Sequence, residues 1–447
     1  MPPKTSRRHR QGADSRERIV GAALQIAAER GYDGMTVALV TERTGLPASS
    51  VYWHFANKDA LVAEVLDHSY RQWRRGTPVA DPEDTGDARH RIARRFAQMR
   101  AGLSEAPEFW RLGLMLALLR GPEEIAARTR FLQVRKETLD GTVLWWSDVL
   151  PEGWAARHPD LAVVLTQLTM AAGDGLFLAA QTDRAWDFRA LTEALAAAFD
   201  TVAAQLAAAP RRRRPAAPSR RPPDGAARIV PDDSRGRLLA AAAEIAAERG
   251  YVGTTISRVC TRSGLPVSSL YWFFTDKDAL LATVVQQSFA DWSAHQPPWT
   301  SVDTASGRAS TLRRVLRRTT RSFGDAPDFL RIGHMVALER QEREPAARAL
   351  FLGIRHDVEA SLAAWFAGTL AASPAATDPE LPRTLARLVI AMTDGLFLAQ
   401  QMDDWDWEFD YLVDALVGVL EAVVADAEAA ATRARRPSTR RRSPARR

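Results

Sequence analysis

The residues with the most distinctive chemistry form one run, Ser49-Ser50-Val51-Tyr52-Trp53-His54-Phe55, with Lys58 three positions further on. Tyr52 offers a phenolic hydroxyl that can donate to a phosphate oxygen, and Trp53 an apolar edge that suits a base, including a thymine methyl. Lys58 opens the helical pattern Lys58-Asp59-Ala60-Leu61, where unpaired backbone N–H groups and an ammonium together make an anion site. Two adjacent large aromatics cannot share one buried face of a short helix. Closure of a small core by Trp53 is the competing reading for that residue.

The run occurs twice. Ungapped comparison of residues 19–67 with 238–286 gives 27 identities in 49 positions, and Tyr271, Trp272 and Lys277 recur where Tyr52, Trp53 and Lys58 stand. Only four of the sixty basic residues are lysines, yet two of them occupy these equivalent positions. After one inserted residue the match resumes: APEFWRLGLMLALLR from Ala106 pairs with APDFLRIGHMVALER from Ala326, and GDGLFLAAQ from Gly173 with TDGLFLAQQ from Thr393. A period this long marks duplication of a whole multi-helix unit.

The elements that must position these residues read as helices. Ile19, Ala22, Ala23, Ile26 and Ala27 make one apolar face between Arg18 and Arg30, and Gly31 supplies the stop. Thr36 suits the N-cap of a helix through Val37, Val40 and Arg43 that Gly45 ends. After the turn Thr44-Gly45-Leu46-Pro47, a short helix carries Ser49 to Phe55, too short to stand unless Leu46, Val51 and Phe55 pack it down. Two short helices joined by a tight turn have the form of a helix-turn-helix, whose second helix enters the DNA major groove. No alternating strand pattern of useful length occurs, so the predicted fold class is all-α.

The stretch from Thr36 to Lys58, above all VYWHFANKDAL, resembles the DNA-binding domain of the TetR (tetracycline-repressor) family. The second copy offers Thr255, Gly264, Leu265, Ser269, Tyr271, Trp272, Phe274 and Lys277 in the same order, and the DGLFLA segments resemble the family's dimerisation helix. The resemblance implies a transcriptional regulator that binds double-stranded DNA, a repressor released by a small, largely apolar effector. Carried over by position, it assigns phosphate contacts to Thr36, Tyr52, His54 and Lys58 and base contacts to Ala48, Ser49 and Trp53. In copy 2 the corresponding DNA-binding set is Thr255, Val267, Ser268, Tyr271, Trp272 and Lys277. Phe273 in place of His54 and Val267 in place of Ala48 predict unequal half-sites. Neither recognition helix holds an arginine, so bidentate guanine readout from it is excluded and preference must lean on apolar contact and DNA shape.

The same resemblance implies a helical ligand-binding and dimerisation domain after each helix-turn-helix. Residues 161–181 and 190–209, and 385–401 and 411–427, are the expected dimer helices. Among thirteen tryptophans, Trp73, Trp110, Trp145, Trp146 and Trp154 fall where a pocket could lie, although core filling explains any single one. The expected lining in copy 1 is Trp110, Met115, Phe131, Trp145, Trp146 and Phe177. Leu330, Phe366 and Pro374 replace Trp110, Trp146 and Trp154 in copy 2, so two pockets should differ in preference.

The expected domains are a basic tail (1–14), helix-turn-helix (15–70) and body (71–209) of copy 1, a linker (210–231), helix-turn-helix (232–289) and body (290–431) of copy 2, and a second basic tail (432–447). Residues 1–18, 210–231 and 432–447 together carry +18, which leaves the rest at −12 against a net charge of +6. Such Arg/Pro/Ala-rich segments should be unstructured, serving solubility and spacing or non-specific attraction to nucleic acid. The linker can reach roughly 68 Å if extended. That suffices for the copies to pair within one chain as a pseudo-dimer on an imperfect palindrome; a homodimer with four helix-turn-helix units is the alternative. One cysteine, Cys260, excludes an intrachain disulfide and multi-cysteine metal sites, and fits a reducing cytosol. The apolar run Leu161 to Ala180 contains Gln167 and Asp174, which favours a buried helix over a membrane span. No nucleotide-binding or hydrolase motif occurs, and His68, His90, His158, His334 and His356 are scattered. The expectation is no enzyme, no cofactor and no metal, in a bacterial cytoplasm in association with the nucleoid. A non-specific architectural DNA-binding protein is the competing function.

Overall fold

The computed structural model describes residues 4–76, 86–105, 107–120, 125–151, 153–154, 160–183, 185–208, 233–296, 307–323, 328–340, 344–403 and 409–435. These form eighteen α-helices, nine per copy, with one 3-10 turn at Pro374–Thr377 and no strand among the described residues. In copy 1 the helices are α1 (Lys4–Gly34), α2 (Val37–Thr44), α3 (Ala48–His54), α4 (Lys58–Gly76), α5 (Ala88–Glu105), α6 (Pro107–Leu118), α7 (Ala126–Val149), α8 (Leu161–Thr182) and α9 (Phe188–Ala208). In copy 2 they are α10 (Ser234–Gly253), α11 (Ile256–Ser263), α12 (Val267–Phe273), α13 (Lys277–Ala294), α14 (Gly307–Ser322), α15 (Asp328–Leu338), α16 (Ala346–Leu370), α17 (Leu381–Met402) and α18 (Phe409–Arg435). The fold is all-α, as the sequence patterns predict.

Two boundaries differ from expectation. Helix α1 starts at Lys4, so most of the segment read as an unstructured tail is helical. Once a nucleus exists, each added residue gains one hydrogen bond, and Arg, Gln and Ala are good helix formers. Gly31 does not end the chain direction of α1 but kinks it, with φ at 67°, a region glycine enters without steric cost. Gly250 repeats the kink in α10 with φ at 72°. The linker expected at 210–231 lies outside the described residues, as does the second tail beyond Arg435.

Helices α1–α3 pack around Ile19, Val40, Val51 and Phe55, and α4 leads from this head into the body. The apolar run near 161–180 is α8, a helix long and apolar enough to cross a membrane by composition, but here almost wholly buried. Its main partner is α17 of the other copy, while α9 packs on α18. The two copies therefore meet through a four-helix bundle inside one chain. Its closest approach is set by glycines: a Cβ at Gly175 would lie 1.7 Å from the Ala391 carbonyl oxygen, and one at Gly395 1.8 Å from that of Ala171. Small residues at crossing points let helix backbones approach this closely.

A second contact crosses between α6 and α15. Arg111 Nη1 donates to the Leu338 carbonyl at 2.8 Å and Arg331 donates reciprocally to Leu118, satisfying the C-terminal carbonyls of the opposite helix. The heads also touch. Arg249 of α10 lies 3.4 Å from Asp33 at the end of α1, and a Cβ on Gly34 would meet Val252 at 3.0 Å.

Candidate nucleic-acid interface

Each head presents its short third helix in the same way. Thr36 Oγ1 accepts from the Leu39 N–H and Thr255 Oγ1 from that of Arg258, both at 3.3 Å, which caps α2 and α11. Gly45 and Gly264 end those helices in the left-handed region, with φ at 68° in both, and turn the chain into α3 and α12. Val51 and Phe55 are buried beneath α3, as Leu270 and Phe274 are beneath α12.

That anchoring fixes what faces outward. Tyr52 is 57% exposed and Trp53 77%, with Tyr271 at 55% and Trp272 at 84%. Trp53 therefore does not close the small core. Ala48 and Ser49 are exposed at the start of α3, and Val267 and Ser268 at the start of α12. Large apolar side chains this open to water at equivalent points of two heads form a surface suited to a partner with stacked or methyl-bearing edges. At the next position the copies differ. His54 is half-buried, with Nε2 2.9 Å from Ser15 Oγ, and burial followed by the charge of Arg16 lowers its pKa. Phe273, without a polar atom, is exposed there.

Lys58 and Lys277 are more enclosed than the helix-start position suggested. The Lys58 ammonium lies over the Tyr32 ring at 4.3 Å and donates to the Asp33 carbonyl at 3.4 Å; Lys277 lies over Tyr251 at 4.0 Å and donates to its carbonyl at 3.1 Å. Burial lowers both pKa values, partly offset by nearby carboxylates. Each lysine thus ties the start of α4 or α13 to the kinked end of α1 or α10. The residue beside it faces the body. Asp59 accepts from the Ala126 N–H at 2.8 Å and caps α7, and Asp278 does the same for Ala346 and α16 at 2.6 Å. A helix that borders the body's cavity is thereby fastened to the helix leaving the head.

The bodies hold cavities at equivalent places. That of copy 1, about 140 Å³, is lined by Trp73, Trp110, Met99, Thr142, Asp174 and Phe177 among others. Trp110 and Phe177 of the six expected residues line it. The other four do not: Phe131 fills the space against Gly113 and Phe109, Met115 is buried, Trp146 is fully buried with Nε1 donating to Thr169 Oγ1 at 3.1 Å, and Trp145 lies on its outer side under Arg95. Copy 2 has the smaller cavity, about 90 Å³, bounded by Trp292, Phe323, Leu330, Arg355, Thr393 and Asp394.

Of the charged groups beneath these cavities, the sequence brought out Asp174 and His334, neither as part of a site. In copy 1, Arg135 is fully buried between Asp174, 2.8 Å from Nη1, and Asp403 of copy 2, 2.5 Å from Nε. In copy 2, Asp394 pairs with Arg355 at 2.6 Å and with His334 at 3.2 Å. The available signal was an arginine and an aspartate recurring at one offset, the aspartate as the single charge of an apolar run. No group of three or more metal-ligating side chains occurs among the described residues.

Residues 19–65 and 238–284 both match the family model described as bacterial regulatory proteins, tetR family. An HTH-type transcriptional repressor of Mycobacterium tuberculosis is 28% identical over 118 residues, or 26% of this chain and 44% of that protein. The class D tetracycline repressor protein of Escherichia coli is 37% identical over 62 residues, 12% of this chain and 28% of the repressor. The HTH-type transcriptional regulator TtgR of Pseudomonas putida is 30% identical over 77 residues, 17% and 37% of the two chains. The chain spans less than half the length of each of these relatives.

Proposed function

The chain belongs to the tetR family of bacterial regulatory proteins and carries two of its units in tandem, and from that premise we propose that it is a transcriptional repressor acting as an intramolecular pseudo-dimer on double-stranded DNA. The observation that carries this reading is the pair of heads, each with a Tyr–Trp pair held outward on an anchored third helix that follows a capped second one. Tyr52 and Tyr271 donate to phosphates, with Thr36, Thr255 and His54 along the same backbone path, while Lys58 and Lys277 hold the start of α4 and α13 against the head. Trp53 and Trp272, with Ala48, Ser49, Val267 and Ser268, meet base edges.

Pairing within one chain is supported by the bundle in which Gly175 and Gly395 receive the carbonyls of the other copy. Two recognition helices about one turn of DNA apart read two half-sites. Because α3 ends in His54 and α12 in Phe273, those half-sites differ. A small-molecule effector in the body loosens the grip on DNA through α7 and its Asp59 cap, by favouring an arrangement in which the heads no longer match the DNA spacing. The site of action is the bacterial nucleoid.

Selection of bound sequences from a random DNA pool at near-physiological salt tests this. An imperfect palindrome with two unlike halves, bound by one chain per site, is expected. Retention of DNA with no enriched sequence would replace the regulator by a non-specific architectural protein. Enrichment with two chains per site would replace the pseudo-dimer by a homodimer.

A further inference from the structure

The duplication provides an internal comparison between two versions of one buried site. Both cavities have an aspartate in the wall at equivalent positions, Asp174 and Asp394, and both aspartates meet an arginine from the neighbouring helix, Arg135 and Arg355. In copy 2 each carboxylate oxygen has its own partner: Oδ2 meets Arg355 Nη1 and Oδ1 meets His334 Nε2. Burial lowers the pKa of His334, so it acts as a neutral N–H donor. In copy 1 the position of His334 is taken by Leu114, which is fully buried and donates nothing. Asp174 is left with Arg135 as its one polar partner among the described residues, and that arginine is shared. Asp403, arriving from the end of α17, takes Nε and Nη2 at 2.5 and 3.1 Å. The reciprocal contact is missing, because Asp183, the equivalent of Asp403, accepts from its local Ala185 N–H.

Copy 1 therefore buries two carboxylates around one guanidinium, whereas copy 2 buries one carboxylate with one guanidinium and a neutral donor. A buried carboxylate short of a hydrogen-bond donor is costly, and desolvation pushes the Asp174 carboxyl up to about 6. The space beside it is the larger of the two cavities, walled by Trp73, Trp110 and Phe177. Arg74 and Arg95, both partly exposed, also border it, each lying over a ring, Trp73 and Trp145 respectively.

We propose that the copy 1 cavity is the effector site of the chain and takes an aromatic ligand bearing a protonated amine, whose N–H donates to Asp174 as His334 does to Asp394. The aromatic body lies among Trp73, Trp110 and Phe177, and the ammonium supplies the positive charge that the Arg135–Asp174–Asp403 cluster lacks. Copy 2 supplies Asp403 as a positioning residue and binds no such ligand, since its own aspartate is already satisfied. Occupancy competes with Arg135 for Asp174 and so reaches the inter-copy contact at Asp403 directly. This deepens the ligand-release reading above and depends on it for the effect on DNA, but not for the binding.

Three probes of one shape and different charge test it on the full chain: 1-naphthylmethylammonium, 1-naphthylmethanol and 1-naphthoate, titrated without DNA by calorimetry and tryptophan fluorescence. The ammonium should bind with a stoichiometry of one and about tenfold to a hundredfold more tightly than the other two, the range for a hydrogen bond to a charged group. Asp174→Asn should remove that preference, and so should Leu114→His. Should Leu114→His fail to fold, as judged by circular dichroism, His334→Leu provides the converse: it should raise the stoichiometry to two. Equal or tighter binding of naphthoate, or no binding of any probe, overturns the proposal, as does a preference that survives Asp174→Asn. Ammonium binding that leaves DNA retention unchanged overturns the release reading while the site stands, so the two failures are separable.

Discussion

Replacing Gly175 by alanine adds one methyl group at a place with no room for it. The new Cβ would stand 1.7 Å from the Ala391 carbonyl oxygen, where ordinary contact begins at 3.4 Å. The obstacle is backbone on a buried helix, so no side-chain rotation relieves it. Helices α8 and α17 must separate by about the difference, 1.7 Å, loosening the contacts of neighbours such as Leu168, Leu176, Leu388 and Leu396. Overpacking costs about 1–3 kcal/mol, and a backbone clash belongs at the upper end. For units of this size about 3 kcal/mol corresponds to a fall of roughly 6–12 °C in Tm.

The pseudo-twofold gives a sharper test. Gly395→Ala creates the same clash at Ala171 on the other side of the axis. Once the helices have parted to admit one methyl group, the second enters at little further cost. The double variant should therefore lose clearly less stability than the two single losses added together, a coupling expected only of neighbouring sites. Thermal unfolding followed by circular dichroism measures all three. The Tm values should be independent of protein concentration, because both helices belong to one chain. A Tm within about a degree of the parent for Gly175→Ala would refute the close crossing, and a concentration-dependent Tm would refute the intramolecular pairing.

Tyr52→Phe and Tyr271→Phe each remove one hydroxyl from an exposed position and should weaken specific DNA binding by about tenfold, measured by fluorescence anisotropy; unchanged affinity in both refutes the phosphate role. His54→Phe with Ala48→Val gives α3 polar and apolar positions closer to those of α12, and selected DNA sites should become more symmetric. Asp59→Ala removes the cap on α7, with a stability loss of about 1 kcal/mol and a smaller effect of bound ligand on DNA affinity; an undiminished effect shows that the signal takes another route. Asp174 keeps its proton to about pH 6 in the folded chain, against a reference value of 3.8. The native state thus binds more protons than the unfolded state between those values, and stability falls as pH rises from about 4 to 6 and is level above. Denaturant unfolding across this range should show that slope, and Asp174→Asn should flatten it.

The heads were legible in the sequence because short-range rules govern them. Thr36, Gly45 and the Val51–Phe55 pair each act over a few residues, so their spacing alone fixes the cap, the turn and the anchored face. The bodies yielded their helices but not their cavities. Phe131 and Trp146 are aromatic and apolar just as Trp110 and Phe177 are, and only their place relative to Gly113 and Thr169 on other helices puts the first pair in the core. The Arg135–Asp403 pair spans 268 residues and joins opposite copies, a distance over which no local pattern carries information. Lys58 shows a different limit. Its position at a helix start suggests a phosphate, yet the kink at Gly31 brings Tyr32 and the Asp33 carbonyl within its reach.

A fused pair also differs from two identical chains in what can sit on its axis. In a symmetric dimer any residue near the axis faces its own copy, so an acid there would bury two like charges together. Here the site between the heads is occupied by one glutamate and one leucine. Glu339 is buried at the end of α15, with Oε1 3.6 Å from where a Cβ on Gly31 would stand and 3.4 Å from the corresponding point at Gly250, so it touches the kink of both heads. Its equivalent Leu119 also reaches Gly250, 4.0 Å from where a Cβ would stand. Burial and Asp278 raise the pKa of Tyr251, with Glu339 adding to them, and Glu339 partly offsets the burial that lowers that of Lys277, both groups of copy 2, while its packing serves both heads. Gly175 with Gly395 and Arg111 with Arg331, which meet across the axis as pairs, are the same in the two copies. Leu114 and His334, both fully buried, are not. Fusion lets an unlike pair share the axis without repulsion, and the same freedom gives one chain two different recognition helices and two different cavities.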